Sequence, residues 1–136
     1  MGTHKIRNWP SAPENLEEER KAEFERNVGS GRVGKTLVSE TDRVRVWSLT
    51  LHPSERIGFH THVLDYFWTA VTCGRARSHY GDGRISEVSY KPGDTQHHTF
   101  GAGEFMTHDL ENIGDSDLIF TTVEFKESAN APLILQ

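Results

Sequence analysis

The chain has 136 residues, of which 35% are hydrophobic and 26% charged, and its formal net charge is −5. This length suits one domain, and seven Phe, three Trp and three Tyr residues supply bulk for a folded core, which excludes a disordered chain. The acidic balance argues against nucleic acid as a partner, and no apolar run approaches the roughly 20 residues that span a bilayer.

Cellular location is predicted from the chain start and from cysteine usage. Residues 1–7 contain no apolar segment of the kind found in signal peptides. The one cysteine, Cys73, leaves no partner for an intrachain disulfide. Both features predict a cytoplasmic protein, and Cys73 is interpreted as a small buried hydrophobic residue.

The first element in chain order is a short helix over residues 14–27, within a polar N-terminal segment that comprises residues 1–31. Pro13 suits the first turn of this helix and Gly29 suits its end. Its apolar positions are few: Leu16, Ala22 and Phe24. We therefore expect the helix to lie on the surface of the domain or of a partner subunit.

The next region, residues 32–127, alternates short segments rich in β-branched and aromatic residues with Gly-, Pro- and Asp-containing turns. Seven such segments lie about ten residues apart: 34–40, 43–52, 64–73, 75–80, 85–91, 104–111 and 118–126. This spacing is typical of an all-β sandwich or barrel. In the second segment, alternation places Trp47, Leu49 and Leu51 on one face. Residues 128–136 form a C-terminal extension with an apolar end.

Histidine is the residue type that points to chemistry. His60 and His62 are two apart on a predicted strand, so both side chains face the same side. Alone, this pair is equally consistent with packed or solvated histidines. His108 lies on a later predicted strand that an antiparallel barrel can place beside the first. Three neutral imidazoles would leave open positions on a metal ion, as catalytic sites require.

Several motifs together resemble the two conserved motifs of the cupin superfamily. They are His60-Thr61-His62, the hairpin at 81–83, Pro92-Gly93-Asp94, and His108 followed by Asn112. The resemblance covers about residues 44–125. It implies a double-stranded β-helix, or jelly-roll barrel, that holds a divalent metal ion. More narrowly, the segments 60–66 and 112–120 are similar to small single-domain cupins, some of which have been assigned to β-alanine degradation.

The sequence departs from the cupin pattern in three places. Ser54 stands where the first motif usually has glycine, and Tyr66 stands where it usually has the glutamate ligand. The stretch before His108 is also longer than usual. The resemblance therefore implies a three-histidine site, as in iron dioxygenases. Tyr66 would either contact the metal ligands without binding the metal itself, or pack as a buried tyrosine.

Two carboxylates are weighed as additional ligands. Glu104 precedes His108 by four residues and would share its strand face, although a loop position in solvent is the preferred interpretation. Asp65 alternates away from the two histidines before it, so we expect it to bind a loop instead. In the adjacent pair His97-His98, only one side chain can face the barrel and serve as a proton shuttle. We assign that role to His98, with an exposed turn histidine as the alternative.

Other residues are candidates for substrate contact. Arg75 and Arg77 share a strand face and would clamp a carboxylate, unless they simply lie on a solvated face. Five aromatic residues would line a pocket or fill the core: Trp47, Phe59, Trp68, Phe105 and Phe120.

The sequence therefore predicts a metal-dependent enzyme that acts on a small molecule. His60, His62 and His108 are the expected ligands, and Tyr66 and His98 the expected catalytic residues. The resemblance favours Fe(II) and a non-haem dioxygenase. The same site with Zn, Ni or Mn would suit an isomerase, lyase or cyclase, and a non-enzymatic cupin that binds a small ligand remains the alternative. We expect a homodimer, because the terminal residues 133–135 need an apolar surface to bury.

Overall fold

The computed structural model describes residues 8–135 and contains one helix and nine strands over that range. The predictions made for residues 1–7 and for Gln136 lie outside the described residues. The helix α1 is Glu18–Asn27. The strands are β1 Thr36–Glu40, β2 Val44–Leu51, β3 Arg56–His62, β4 Tyr66–Ala70, β5 Gly74–His79, β6 Ile85–Tyr90, β7 Thr95–His98, β8 Met106–Asn112 and β9 Leu118–Phe125. No helix within residues 8–135 has the length and apolarity needed to cross a membrane.

The strands form two antiparallel sheets. One sheet has five strands in the order β1-β2-β9-β4-β7, and the other has four in the order β3-β8-β5-β6. Neighbours within a sheet are mostly distant in sequence, so the chain crosses repeatedly between the two layers. The all-β double-stranded β-helix predicted from the sequence is confirmed. Each of the seven predicted segments overlaps a strand, and the two further strands, β3 and β7, carry the remaining histidine segments.

The main core lies between the two sheets toward one end of the barrel. Alternation along β2 buries Trp47, Leu49 and Leu51, as predicted. Leu49 and Leu51 pack with Leu118 and Phe120 of β9 and with apolar residues of the opposite sheet. Burying these side chains removes apolar surface from water, which is the main favourable contribution to folding.

Helix α1 packs on the outer face of the four-stranded sheet, next to β3. Phe24 is fully buried and contacts the Phe59 ring edge-on, with ring centroids 5.2 Å apart. Leu16 and Val28 complete this second apolar cluster, whereas Ala22 is exposed. The helix begins at Glu18 and not at residue 14, because the Leu16 N–H donates to the Pro13 carbonyl in a separate turn.

Ser54 has a left-handed backbone conformation, with φ of 72°. This region favours glycine because a side chain crowds the backbone there. The cupin motif that this segment resembles has glycine at this position, and the φ of Ser54 lies in the region that glycine favours. The Ser54 N–H donates to the carbonyl of Asn112, which fixes the turn before β3 to the end of β8.

The segment after β9 returns toward the loop between α1 and β1. The Gly31 N–H donates to the Ile134 carbonyl at 3.0 Å, and a Cβ on Gly31 would lie 2.9 Å from Leu133 Cβ. The Ile134 side chain is nevertheless exposed. Docking of residues 133–135 on a second subunit therefore stays a prediction.

Candidate metal centre

Strands β3 and β8 bring three histidines together. These strands pair antiparallel, and His60 is directly opposite His108 in the register. Because side chains alternate along a strand, His62 faces the same side as His60. Each of the three residues offers a ring nitrogen, and these atoms all lie within 4.8 Å of one another. The structure thus assembles the three histidines that the sequence singled out.

The three imidazole rings form a nearly equilateral arrangement. Their centroids are 5.1 Å apart for His60 and His62, 4.8 Å for His60 and His108, and 5.2 Å for His62 and His108. The Nε2 atoms of His62 and His108 approach to 3.3 Å. Both rings are buried deeply enough that their Nδ1 atoms are out of solvent, and neither Nδ1 has a hydrogen-bond partner within residues 8–135.

Protonation states follow from burial and hydrogen bonding. His60 Nδ1 lies 2.8 Å from the Gly58 carbonyl, which can only accept, so Nδ1 carries the proton and the Nε2 lone pair is free. Burial lowers the pKa of His60, and it lowers the pKa values of His62 and His108 well below the usual range, with neighbouring histidines adding to the effect. The cluster is therefore neutral at physiological pH.

Three neutral imidazoles with converging lone pairs fit a divalent metal ion. A metal ligand must be deprotonated, and the lowered pKa values meet that condition. The Nδ1–H of His60 donating to a backbone carbonyl is the usual way in which proteins fix a ligand's tautomer and ring orientation. Imidazole suits several first-row metals, so the donor set does not choose among them.

The outer side of β8 anchors the strand that carries His108. Asp109 is fully buried and accepts hydrogen bonds from the Arg56 guanidinium at 2.8 and 3.1 Å and from the His79 N–H at 2.7 Å. Arg56 also binds Glu23 of α1 with two hydrogen bonds, of 2.7 and 2.9 Å. This network connects helix α1 to the strand at the residue next to His108.

Tyr66 lies against the histidine cluster. It is buried on β4 and stacks on His62, with centroids 4.1 Å apart and ring planes 16° from parallel. On its other side it stacks on His98 at 4.8 Å and 9°. Burial raises the pKa of the Tyr66 phenol far above its usual range, so the hydroxyl keeps its proton. A neutral phenol is a poor metal ligand, and the stacking instead restrains the His62 ring.

His98 lies in the barrel wall and His97 does not. His98 pairs with Tyr66 across β4 and β7 and lines the cavity beside the cluster. His97 is exposed and lies against Phe67. Partial burial lowers the pKa of His98, and the neighbouring His97 adds to this effect. The structure places one of the two side chains inside, and the catalytic roles assigned to His98 and Tyr66 stay predictions.

A cavity of about 670 Å³ opens from the histidine cluster. Aromatic and aliphatic side chains form about half of its wall, including Trp68, Tyr80, Tyr90, Met106, Leu110 and Phe120. Polar, charged and histidine side chains form the rest. Such a volume matches the size of pockets that bind small organic molecules. The metal centre proposed from the sequence would therefore face a cavity lined by both apolar and polar side chains.

Several other sequence candidates lie elsewhere. Glu104 is exposed and accepts a hydrogen bond from the Gly101 N–H, so it is a loop residue and not a fourth ligand. Asp65 accepts from the Phe100 N–H, as expected of a loop partner. Cys73 is exposed, contrary to the interpretation as a buried residue, because it lies in the turn between β4 and β5.

The arginine and aromatic candidates divide between surface, core and cavity. Arg75 and Arg77 both bind Glu87 of the neighbouring strand, so the carboxylate they clamp belongs to this chain. Among the five aromatic candidates, Trp68 and Phe120 line the cavity. The other three lie elsewhere: Trp47 donates to Glu124, Phe59 packs on α1, and Phe105 contacts Trp9 edge-on.

Glu124 is a buried carboxylic acid that sequence reasoning did not single out. It is 2% exposed, accepts a hydrogen bond from Trp47 Nε1 at 2.8 Å, and is directly opposite Tyr66 in the β4–β9 register. Burial raises its pKa to about 7. The burial of Glu124 could have been predicted from the alternation along β9, because Leu118, Phe120 and Glu124 lie on the same face of the strand.

Comparison with known proteins supports the fold. Neither a protein-family model nor a curated protein matches the chain. A cupin-domain protein from Bordetella pertussis is 23% identical, with a TM-score of 0.59 over 67% of this chain and 90% of that one. A protein with a double-stranded β-helix domain from Klebsiella pneumoniae is 29% identical, with a TM-score of 0.54 over 72% and 74%. A cupin superfamily protein from Desulfitobacterium hafniense is 10% identical, with a TM-score of 0.50 over 88% and 98%.

These structures share the fold that the resemblance implied. The closer likeness to cupins of β-alanine degradation is not addressed by any of them and stays a prediction. Two antiparallel sheets wound as a jelly roll, with His60, His62 and His108 gathered on the inner face of one sheet, give this chain the double-stranded β-helix fold of the cupin superfamily.

Proposed function

We propose that the protein is a metal-dependent enzyme that acts on a small organic molecule, with a non-haem Fe(II) dioxygenase as the favoured reaction class. The observation that carries the proposal is the convergence of three neutral imidazoles beside a cavity of about 670 Å³. His60, His62 and His108 would hold the ion.

The absence of a carboxylate from this cluster, among residues 8–135, determines the electrostatics of the proposed centre. Neutral ligands leave both positive charges of a divalent ion uncompensated, and the burial of the three rings strengthens the resulting field. An anionic, chelating group on the substrate would therefore bind favourably. When bound, Fe(II) would orient such a substrate and supply redox chemistry with O₂ at its open positions.

The surrounding side chains would orient the ligands, exclude water and move protons. Tyr66 restrains the His62 ring by stacking, and its burial keeps water from that side of the site. His98 has a titratable ring in the cavity wall, half-buried between the interior and the edge strand β7. It is therefore placed to carry a proton between a bound substrate and solvent.

Metal analysis of anaerobically purified protein, prepared without a metal-affinity column, tests the proposal. We expect close to one iron per chain, and we expect His60→Ala to reduce it to background. His97→Ala is the matched control, since His97 is exposed and outside the cluster. Unchanged metal content in His60→Ala would refute the ligand assignment.

Oxygen uptake then separates the reaction classes. The iron-loaded protein is screened with diketones, thiols and aromatic acids, and substrate-dependent O₂ consumption supports the dioxygenase. Bound Zn, Ni or Mn, with turnover that needs no O₂, would replace it with an isomerase, lyase or cyclase. Tight binding of metal and ligand without turnover of any kind would indicate a non-enzymatic binding protein.

We also propose a homodimer. The exposed side chain of Ile134, in a segment held to the chain through the Ile134 carbonyl, offers apolar surface for a second copy. Light scattering should give twice the chain mass of 15.4 kDa, and a monomer mass would contradict this proposal.

A further inference from the structure

Arg84 brings a permanent positive charge to the cavity of the histidine cluster. It precedes β6 in the β5–β6 hairpin and is the one Arg or Lys side chain among the described residues that line this cavity. The one acidic residue in the same lining, Asp94, is already used by its own turn, where it accepts a hydrogen bond from the Lys91 N–H.

A column of stacked groups connects Arg84 with the proposed metal ligands. The Arg84 guanidinium lies over the Tyr80 ring, 4.3 Å from its centroid. The Tyr80 ring in turn stacks on His108, with centroids 5.6 Å apart and planes 29° from parallel. Tyr80 also forms a β-bridge with His108, so the backbone fixes this arrangement. Arg84 and His108 therefore both lie against the ring of Tyr80.

The present partner of Arg84 is easily replaced. Asp82 accepts a hydrogen bond from Arg84 Nε at 2.8 Å, and both side chains are largely exposed, at 59% for Asp82 and 65% for Arg84. Exposed ion pairs of this kind contribute little, because solvent screens them. Only Nε takes part, so within residues 8–135 the two terminal nitrogens are free to bind another carboxylate.

We infer that the cavity binds a small organic acid with two polar ends. Its carboxylate pairs with Arg84 at the rim, its flat apolar body lies along Tyr80, and the chelating group proposed above for the metal is at its far end, beside the three histidines. Trp68 and Tyr90, which contact each other edge-on with centroids 5.4 Å apart, complete the apolar wall. This inference names the substrate class of the enzyme proposed above and rests on that proposal for the events at the metal end.

Binding of a matched pair of probes tests the inference. The full chain is titrated with 3-phenylpropanoate and with its neutral amide, 3-phenylpropanamide, at pH 7.5 by calorimetry, first as purified and again after EDTA treatment. We expect Arg84→Gln to weaken binding of the acid at least fivefold and to leave binding of the amide within twofold. Arg77→Gln, which removes the same charge from an exposed strand face, should leave both unchanged.

The competing carboxylate supplies a test of opposite sign. Asp82→Asn removes the negative charge that competes for the Arg84 guanidinium, so it should strengthen binding of the acid about twofold or more. Glu87→Gln is its matched control on the outer face, and it should have no effect. Equal binding of the acid by wild type and Arg84→Gln, or no binding of it by wild type, would overturn the inference.

Failure of this inference is distinguishable from failure of the proposed function. The Arg84 contact is measured in EDTA-treated protein, whereas the proposed function is tested by metal content and by the His60→Ala variant. Normal metal binding together with an acid affinity that does not depend on Arg84 would overturn the substrate class alone. Loss of acid binding in Arg84→Gln, in a chain that binds no metal, would support the anion site and refute the metal enzyme.

Discussion

Replacement of Glu124 by glutamine should remove a pH dependence that the buried carboxyl imposes on the free energy of unfolding. Glu124 is 2% exposed and its pKa is raised by burial from 4.5 to about 7. In the unfolded chain the group returns to its ordinary pKa. Between pH 4.5 and 7 the folded state therefore binds more protons than the unfolded state, and rising pH favours unfolding. The stability contribution is complete below pH 4.5 and is lost by about pH 7.

The magnitude follows from the size of the shift. Each pKa unit corresponds to about 1.4 kcal/mol, so a shift from 4.5 to about 7 gives roughly 3 kcal/mol across this window. In Glu124→Gln the side chain is neutral at every pH, and its amide oxygen accepts the hydrogen bond from Trp47 Nε1. As the pH rises from 4.5 to 8, the free energy of unfolding of the variant should therefore increase by about 3 kcal/mol relative to that of wild type.

Urea unfolding of EDTA-treated protein, followed by tryptophan fluorescence at several pH values, measures this difference. The buried histidines titrate in both proteins, so their contribution cancels when the free energy of unfolding of wild type is subtracted from that of the variant. Glu127→Gln is the control, because Glu127 is exposed and follows the same strand. A difference between wild type and Glu124→Gln that stays constant from pH 4.5 to 8 would refute the reasoning.

Three further predictions concern packing, backbone and metal. Phe24→Ala should lower the free energy of unfolding by about 3–5 kcal/mol, because a fully buried ring is lost from between α1 and β3, whereas the exposed Val38→Ala should change it little. Ser54→Gly should raise the free energy of unfolding by about 1 kcal/mol by relieving its positive φ, and a loss of stability would contradict this. Zn²⁺ binding at pH 6.5 should release fewer than about 0.5 protons, against about 1.5 from three ordinary imidazoles; calorimetry in buffers of different ionisation enthalpy measures the number.

The parts of the fold that could be predicted are those that depend on the spacing of apolar and histidine residues within a single segment. Alternation along β2 and the His60–His62 spacing both reflect the two-residue repeat of a strand, which one segment contains by itself. The helix start was misplaced by four residues, because residues 14–17, with Glu14 and Glu17, suit a helix but form a separate turn after Pro13. Local propensity does not distinguish these two outcomes.

The parts that could not be predicted depend on which strands become neighbours. An antiparallel barrel allowed His108 to lie beside His60, and the cupin resemblance implied it, but nothing in the sequence itself states that β8 pairs with β3. The burial of Glu124 beside Tyr66 and the stacking of Arg84 on Tyr80 arise from crossings between distant segments. Such contacts come from topology, which one sequence does not specify.

The register of β3 against β8 has a consequence for how this chain can evolve. Thr61 and Thr107 lie on the face opposite the histidines and hydrogen-bond to each other at 2.7 Å, and the Thr61 hydroxyl also donates to the Val28 carbonyl at the end of α1. The pairing already contains a register shift between Ile57 and His60. A single residue inserted or deleted within residues 60–62 of β3 or 106–108 of β8 would exchange the two faces, sending an imidazole toward the helix and a hydroxyl into the barrel. Length changes should therefore accumulate in the connecting loops and be absent from these two strands, even among descendants that have changed substrate.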